Sequence, residues 1–399
     1  MKRLTLSIIV ILVFLGCEIF SRPQYSILQT YGTKCSACHV NVQGGGARTV
    51  PGWLSRKDIS LIDPNWIGLK KFFENLLARN SYFDDKLVFG FDARWQTARW
   101  PSGIASSKRD YMIMQLNPYL IIQPTNWLFF EGTYNLAYEI EKDKRYPAQQ
   151  PYSFSIYLKP FENLPSLRLG YFLPPMGQKW DDHTMFVRYA VAYRGKHPVV
   201  PHDYAEWGAQ IDYENISWLS LSAGVFSGKN LSTLKIPKIV NGKDTSVQLV
   251  KDNSLGFAAR GMVSPPEIIK GLTSYCGGTF YLNDDYYVSS VFLGLGLPDR
   301  FSLIGEYART QKKDSRLSLS FSTELTYQVT ESLLPFIRAE RSILKDKNQN
   351  KPVYATNLVF GSHIILLPSL DLLIEYRILD REQLEGYFSQ WAIQIHLYY

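Results

Sequence analysis

From about Lys86 onward the chain alternates: large apolar side chains take every second position over stretches of about ten residues, cut by turn residues. Phe89, Phe91, Ala93 and Trp95 face one way, and Gly90, Asp92, Arg94 and Gln96 face the other. Phe130, Tyr134, Leu136, Tyr138 and Ile140 oppose Glu131, Thr133 and Asn135, and Trp207, Ala209, Ile211 and Tyr213 oppose Glu206, Gly208, Gln210 and Asp212. Leu370, Leu372, Ile374, Tyr376 and Ile378 oppose Asp371, Glu375 and Arg377. The final stretch, Trp391 to Tyr399, repeats the pattern with its apolar residues at odd positions. A period of two predicts strands with one apolar and one wettable face. About sixteen such candidates fall in residues 86–399, which predicts an all-β, antiparallel, up-and-down arrangement.

Alternation alone fits a soluble sandwich as well as a transmembrane barrel. Three features favour the barrel. The strands succeed one another with no helical interlude. Aromatics gather at strand ends (Trp95, Trp100, Trp127, Tyr152, Trp218, Tyr286, Tyr287), where an interfacial girdle would sit. Connections also differ in kind: 124–126 and 297–300 are tight, whereas 141–150, 228–253 and 342–352 are longer and polar. After residue 20 there is no run long enough for a membrane helix, so a polytopic helical protein is excluded. A barrel of this size encloses a water-filled lumen. Pro174, Pro175 and Gly177 interrupt a strand pattern and predict a loop that folds into it.

Composition narrows the class. Hydrophobic residues are 46%, aromatics 14% and charged residues 20%, which excludes disorder, collagen and coiled coil. The net charge of +7 is scattered without a Lys/Arg run, so nucleic acid is not an expected partner. Four cysteines are too few for a disulfide scaffold. Met1-Lys2-Arg3 followed by the apolar run Leu4 to Leu15 reads as a secretory signal over residues 1–21, cleaved after Gly16 or near Ser21. Phe14-Leu15-Gly16-Cys17 resembles a lipoprotein box with bulkier residues than usual, which would place a lipid on Cys17. The aromatic C-terminus resembles the last strand of bacterial outer-membrane barrels. Together these predict export to the outer membrane, with lipid around the barrel.

The chemistry lies near the N-terminus. Cys35-Ser36-Ala37-Cys38-His39 is C-x-x-C-H, the c-type haem attachment pattern. Two thiols at this spacing reach the two vinyl groups of one haem as thioethers, and the adjacent imidazole becomes the proximal iron ligand. Zinc, a disulfide or coincidence are the alternatives. A second C-x-x-C that would complete a zinc site is lacking. Gly44-Gly45-Gly46 lets the backbone pass a flat macrocycle or serves as a linker, and Arg48 suits a haem propionate. Trp66, Ile67, Leu69, Phe72, Phe73, Leu76 and Leu77 recur at helical spacing and predict an amphipathic helix over Asn65–Arg79, packed on the haem segment or the barrel wall. Residues 22–80 are therefore read as a small helical mono-haem segment seated in the lumen.

A signal peptide, one C-x-x-C-H within Tyr31-Gly32-Thr33-Lys34-Cys35-Ser36-Ala37-Cys38-His39, and a barrel ending on an aromatic resemble the fused cytochrome–porins, which include outer-membrane iron oxidases. The resemblance implies covalent haem c and single-electron transfer between an extracellular donor or acceptor and a periplasmic carrier, a cytochrome or copper protein. With Fe(II) as donor the activity would be an Fe(II):cytochrome c oxidoreductase. The iron-oxidising members follow the His with Pro and then Phe-Gly; here Val40-Asn41-Val42-Gln43 stands instead, which leaves iron as substrate open. Leu167 to Gly177 with Asp181-Asp182-His183-Thr184 resembles the strand and inward loop of phosphate-selective-type porins. Met176, His183 and Met185 on that loop, or Met112 and Met114 on a strand, are the candidates for a sixth iron ligand. Asp84, Asp85, Asp181 and Asp182 read as solvated turns or as transient Fe(II) contacts, and Cys276 as an inert thiol. Three readings stand: an electron conduit, a diffusion channel with a haem-bearing plug, and a periplasmic haem protein.

Overall fold

The computed structural model describes residues 39–41, 47–48, 52, 59–99, 109–140, 150–161, 163–178, 185–192, 195–198, 204–240, 243–266, 269, 271–297, 300–313, 315–347, 351–381 and 387–399. The signal segment, Cys17, Cys35, Cys38, Gly44 to Gly46, Trp100, Asp181, Asp182 and His183 lie outside the described residues.

Sixteen strands among the described residues pair with their sequence neighbours, all antiparallel. They are β1 (Leu87–Arg99), β2 (Arg109–Thr125), β3 (Leu128–Tyr134), β4 (Tyr152–Leu158), β5 (Ser166–Phe172), β6 (Glu206–Tyr213), β7 (Leu219–Ser227) and β8 (Leu255–Val263). The chain continues through β9 (Thr273–Asn283), β10 (Tyr286–Leu297), β11 (Phe301–Lys312), β12 (Arg316–Tyr327), β13 (Leu333–Asp346), β14 (Val353–Leu367), β15 (Leu370–Arg381) and β16 (Tyr387–Tyr398). β16 returns to β1, from Asp92 opposite Tyr398 to Ala98 opposite Ala392, and the sheet closes without a free edge. Phe91 and Tyr399 exchange both backbone hydrogen bonds at 2.9 and 2.8 Å, and their rings stack at 5.9 Å. The terminal aromatic is thus a structural member of the seam.

The two faces of the wall decide what alternation could not. Apolar side chains point away from the enclosed space and stay exposed, as at Trp207 and Trp391 (57% each), Ile211, Leu293, Phe321 and Ile393. Their polar neighbours point inward and are buried: Glu206 (1%), Gln210, Asp212, Glu324, Arg338, Glu375 and Arg377. A soluble sandwich has the opposite sense. A wall with its apolar side outward suits lipid outside and polar contents within.

Several expectations need correction. The strand read over residues 130–140 ends at Tyr134, and Ala137–Ile140 forms a short helix, so the array does contain a helical interlude. The long loop expected over 342–352 is shorter, because β13 runs to Asp346. Long connections occupy one end at 135–151, 173–205 and 228–254, yet the same end also has the two-residue turn Asp284-Asp285 between β9 and β10. Trp95, Trp127, Tyr152 and Trp218 are exposed as a girdle requires, but Tyr286 points inward into a buried apolar cluster. The expected helix over Asn65–Arg79 is reduced to α1 (Lys70–Leu76), and none of its residues is buried. Phe72 is exposed, whereas Phe73 and Leu76 are half-buried and Leu77, next after the helix, is buried.

Candidate functional site

The break at Pro174-Pro175 and Gly177 is real and produces the predicted inward loop. β5 stops at Phe172, and the described parts of the connection to β6, among them 173–178 and 185–192, lie against the inner wall. Gly177 adopts φ 64°, a left-handed conformation that glycine takes without steric cost. Its N–H donates to Thr279 Oγ1 at 3.2 Å and its carbonyl accepts from Arg260 Nε at 3.4 Å, both on the inner wall. Farther along, Arg188 donates twice to Glu306 on β11, Nη1 to Oε1 at 3.0 Å and Nη2 to Oε2 at 2.8 Å. The Phe186 N–H donates to Glu340 Oε1 on β13 at 3.2 Å. Met185 and Val187 pack on Ala308, and Phe186 on Ala355 and Leu379. A loop leaving β5 that reaches β11 to β15 spans the lumen and narrows it.

The wall beneath carries a linked set of charges. Arg338 on β13 lies 3.3 Å from Glu324, 3.2 Å from Glu375 and 3.6 Å from Glu340. Arg377 Nε donates to Glu375 at 2.9 Å, and Asn357 Nδ2 to Glu340 at 2.7 Å. Across the barrel, Arg168 donates to Glu131 at 3.2 Å and stacks its guanidinium over Phe172 and Tyr157 at 4.0 and 4.8 Å. Buried charges persist where each has a partner, and here the pairs hold the loop and order the lumen. Glu375 and Arg377 were visible on the polar face of one strand. Their joining to Arg338 and Glu324 was not, because it depends on register across β12 to β15.

At the end where the chain termini meet, the N-terminal segment touches the inner wall. His39 and Arg48 form an antiparallel bridge, and the Val40 N–H donates to Ala47 O at 3.1 Å. Ala47 is buried against Val88, Tyr119 and Ile121, inward residues of β1 and β2, with Val40 packed beside them. The Arg48 guanidinium lies 5.1 Å from the Tyr398 ring centroid. Next to it, His396 Nε2 is 3.0 Å from Asp92 Oδ1, and Asp92 is 3.3 Å from Arg94 Nε. The sequence separates His396 from Asp92 by almost the whole barrel, and only closure brings them together. Of residues 22–58 the structure describes this bridge and Gly52, which is in helical conformation.

The remaining candidates fall as follows. Met176 is buried in the apolar cluster that it, Tyr204 and Leu231 form from the connections after β5 and β7 with Phe172 and Phe226 of those strands. Met185 is buried against Val187 and Ala308. Met114 is an inward bulge residue, with Gln394 Nε2 3.0 Å from its sulfur. Asp84 and Asp85 form an exposed turn with φ 55° and 62°. Cys276 is an exposed thiol on the outer face of β9. No family model and no curated protein matches the chain.

Solved structures with some likeness include Pseudomonas putida OprB, 11% identical, covering 84% of this chain and 97% of that one with a TM-score of 0.49. An anion-selective porin from Comamonas acidovorans is 12% identical over 78% of this chain and 98% of its own, TM-score 0.49. Salmonella typhi OmpF, in complex with daunomycin, is 12% identical over 80% and 99%, TM-score 0.47. The barrel described above is established by its own closed register.

Proposed function

We propose that the protein is a porin-like channel of the bacterial outer membrane whose lumen is constricted by the loop 173–205. The observation that carries this reading is the wall itself: a closed barrel, apolar outward, charged inward, with one loop pinned across it by Arg188–Glu306. Short turns such as Asn126-Trp127 and Pro368-Ser369 share an end with the chain termini, and that end faces the periplasm. The long connections then face the exterior. Small polar solutes pass between the loop and the charged wall.

A second reading rests on one specific feature, the C-x-x-C-H ending at His39. The donor set of two thiols and an imidazole suits covalent haem c, with Cys35 and Cys38 as attachment points, His39 as proximal ligand and Arg48 beside it. Bound there, the haem would supply a one-electron relay at the periplasmic mouth, exchanging with a periplasmic cytochrome or copper protein and an extracellular donor or acceptor. The chain's own contribution is placement: the His39–Arg48 bridge holds that end of the motif on the lumen wall.

Planar-bilayer recordings of the purified protein and of a Cys35→Ala, Cys38→Ala variant separate the two readings. The channel reading expects conductance in both. Absence of conductance in both, with donor oxidation seen only in the parent protein, would overturn it in favour of the conduit.

A further inference from the structure

Between the lumenal segment and β1 the chain runs along the rim at the short-turn end. Its start is tied to the end of β14, where the Leu61 and Ile62 N–H groups donate to Ile365 O and Leu366 O at 2.7 and 3.1 Å. Its finish is tied to β1, where Ser81 and Tyr82 pair with Val88 and Leu87. The stretch between, with α1 in it, therefore straps the rim below β15 and β16; the Tyr399 hydroxyl donates to Arg79 O at 2.9 Å.

The strap buries Leu77 and half-buries Phe73 and Leu76, but it leaves a set of large apolar residues exposed. Trp66 is 77% exposed, and Ile67 and Leu69 before α1 and Phe72 on it are exposed with it. Phe83 is 76% exposed while holding φ 56°, an unfavourable backbone for a bulky residue whose side chain gains little protein contact there. At its Tyr82 end the strap's apolar surface meets the lipid-facing wall. Tyr82 is registered beside Leu87, which lies opposite Ile122 on β2, and Phe89 lies opposite Leu120. Ile122, Phe89 and Leu120 are exposed outward. Lys70 and Lys71 are also exposed on α1, and Arg79 lies over the Tyr82 ring at 5.1 Å. Aromatic and apolar residues flanked by cations are the composition of a segment seated at the headgroup–acyl boundary.

We infer that the strap Leu61–Phe83 is an interfacial membrane anchor, lying in the phospholipid leaflet at the short-turn end and fixing the approach of the N-terminal segment to the barrel mouth. The inference rests on the membrane-barrel reading. Its test is tryptophan quenching of the full-length protein in phosphatidylcholine and phosphatidylglycerol vesicles, with bromines placed high or low on the acyl chains. The Trp66→Phe variant, checked for a heat-modifiable band, gives the Trp66 signal by difference. A Trp66→Phe, Phe72→Trp variant moves the reporter six residues along, from the turn before α1 onto α1 itself.

The expected result is a difference signal quenched more by shallow than by deep bromines and little by aqueous iodide, at both reporter positions. A difference signal quenched by iodide and untouched by bromines, while the wall tryptophans Trp207 and Trp391 are quenched, overturns the anchor and leaves the barrel in the membrane. The strap face would then serve a periplasmic partner or a second copy. If the wall tryptophans escape the bromines too, the membrane reading itself fails, and the anchor with it.

Discussion

Gly177 and Arg188 are coupled at close range. A Cβ built on Gly177 would lie 2.6 Å from Arg188 Nη1, and the positive φ adds its own penalty of about 1 kcal/mol for a side chain. Gly177→Ala is therefore expected to push the guanidinium off Glu306 and loosen the loop. Glu306→Gln removes the charge from the other side and leaves Arg188 buried with a weakened partner, a change of about 3 kcal/mol where such pairs are fully enclosed. Both variants are expected to raise single-channel conductance while the barrel stays folded; unchanged conductance in both would show that the loop does not gate the lumen. Little of this was legible in the sequence. The Pro pair and Gly177 marked the bend, but Glu306 lies 118 positions from Arg188, and no local pattern links them.

At the scale of elements, the strands were the most readable part. The period of two at Trp207–Tyr213, Leu370–Ile378 and Trp391–Tyr399 reappears as outward and inward faces, because a barrel wall separates two solvents and every position must suit one of them. The pattern faltered where tertiary packing took over. Leu136, Tyr138 and Ile140 keep the alternation but follow the end of β3, and Asn135 Oδ1 instead accepts from the Ala137 N–H at 3.1 Å, turning the chain into a helix. Tyr286 carries a girdle residue's chemistry but joins the cluster beneath the loops. The face assignment makes a contrast testable. Ile393→Lys, on the lipid side of β16, is expected to cost about 2–4 kcal/mol toward mid-bilayer. Gln394→Lys, on the lumen side next to it, is expected to cost much less. Urea refolding into vesicles measures both, and equal losses would contradict the assigned faces.

For the whole molecule, closure puts distant residues side by side. The seam joins β1 to β16, stacks Tyr399 on Phe91, and sets His396 against Asp92 while Arg48 of the N-terminal segment covers Tyr398. Truncating Tyr399 removes the paired hydrogen bonds with Phe91 and the Tyr119 hydroxyl's acceptor at 2.9 Å. Slower assembly of the folded band, followed by pulse labelling, is the expected outcome. The C-x-x-C-H pattern was legible because its spacing is local, whereas the lumenal place of His39–Arg48 depends on a wall built from both ends of the chain.

The account stands or falls on a cylinder of strands embedded in lipid. The most direct measurement is electrophoresis of the detergent-extracted outer-membrane fraction, unboiled and boiled, with haem staining of the same gel. The expected result is one band in that fraction, absent from the salt wash, that migrates faster before boiling and slower afterwards; a haem stain kept by that band under both conditions favours the second reading. Release into the salt wash, with no shift on boiling, would contradict the membrane barrel.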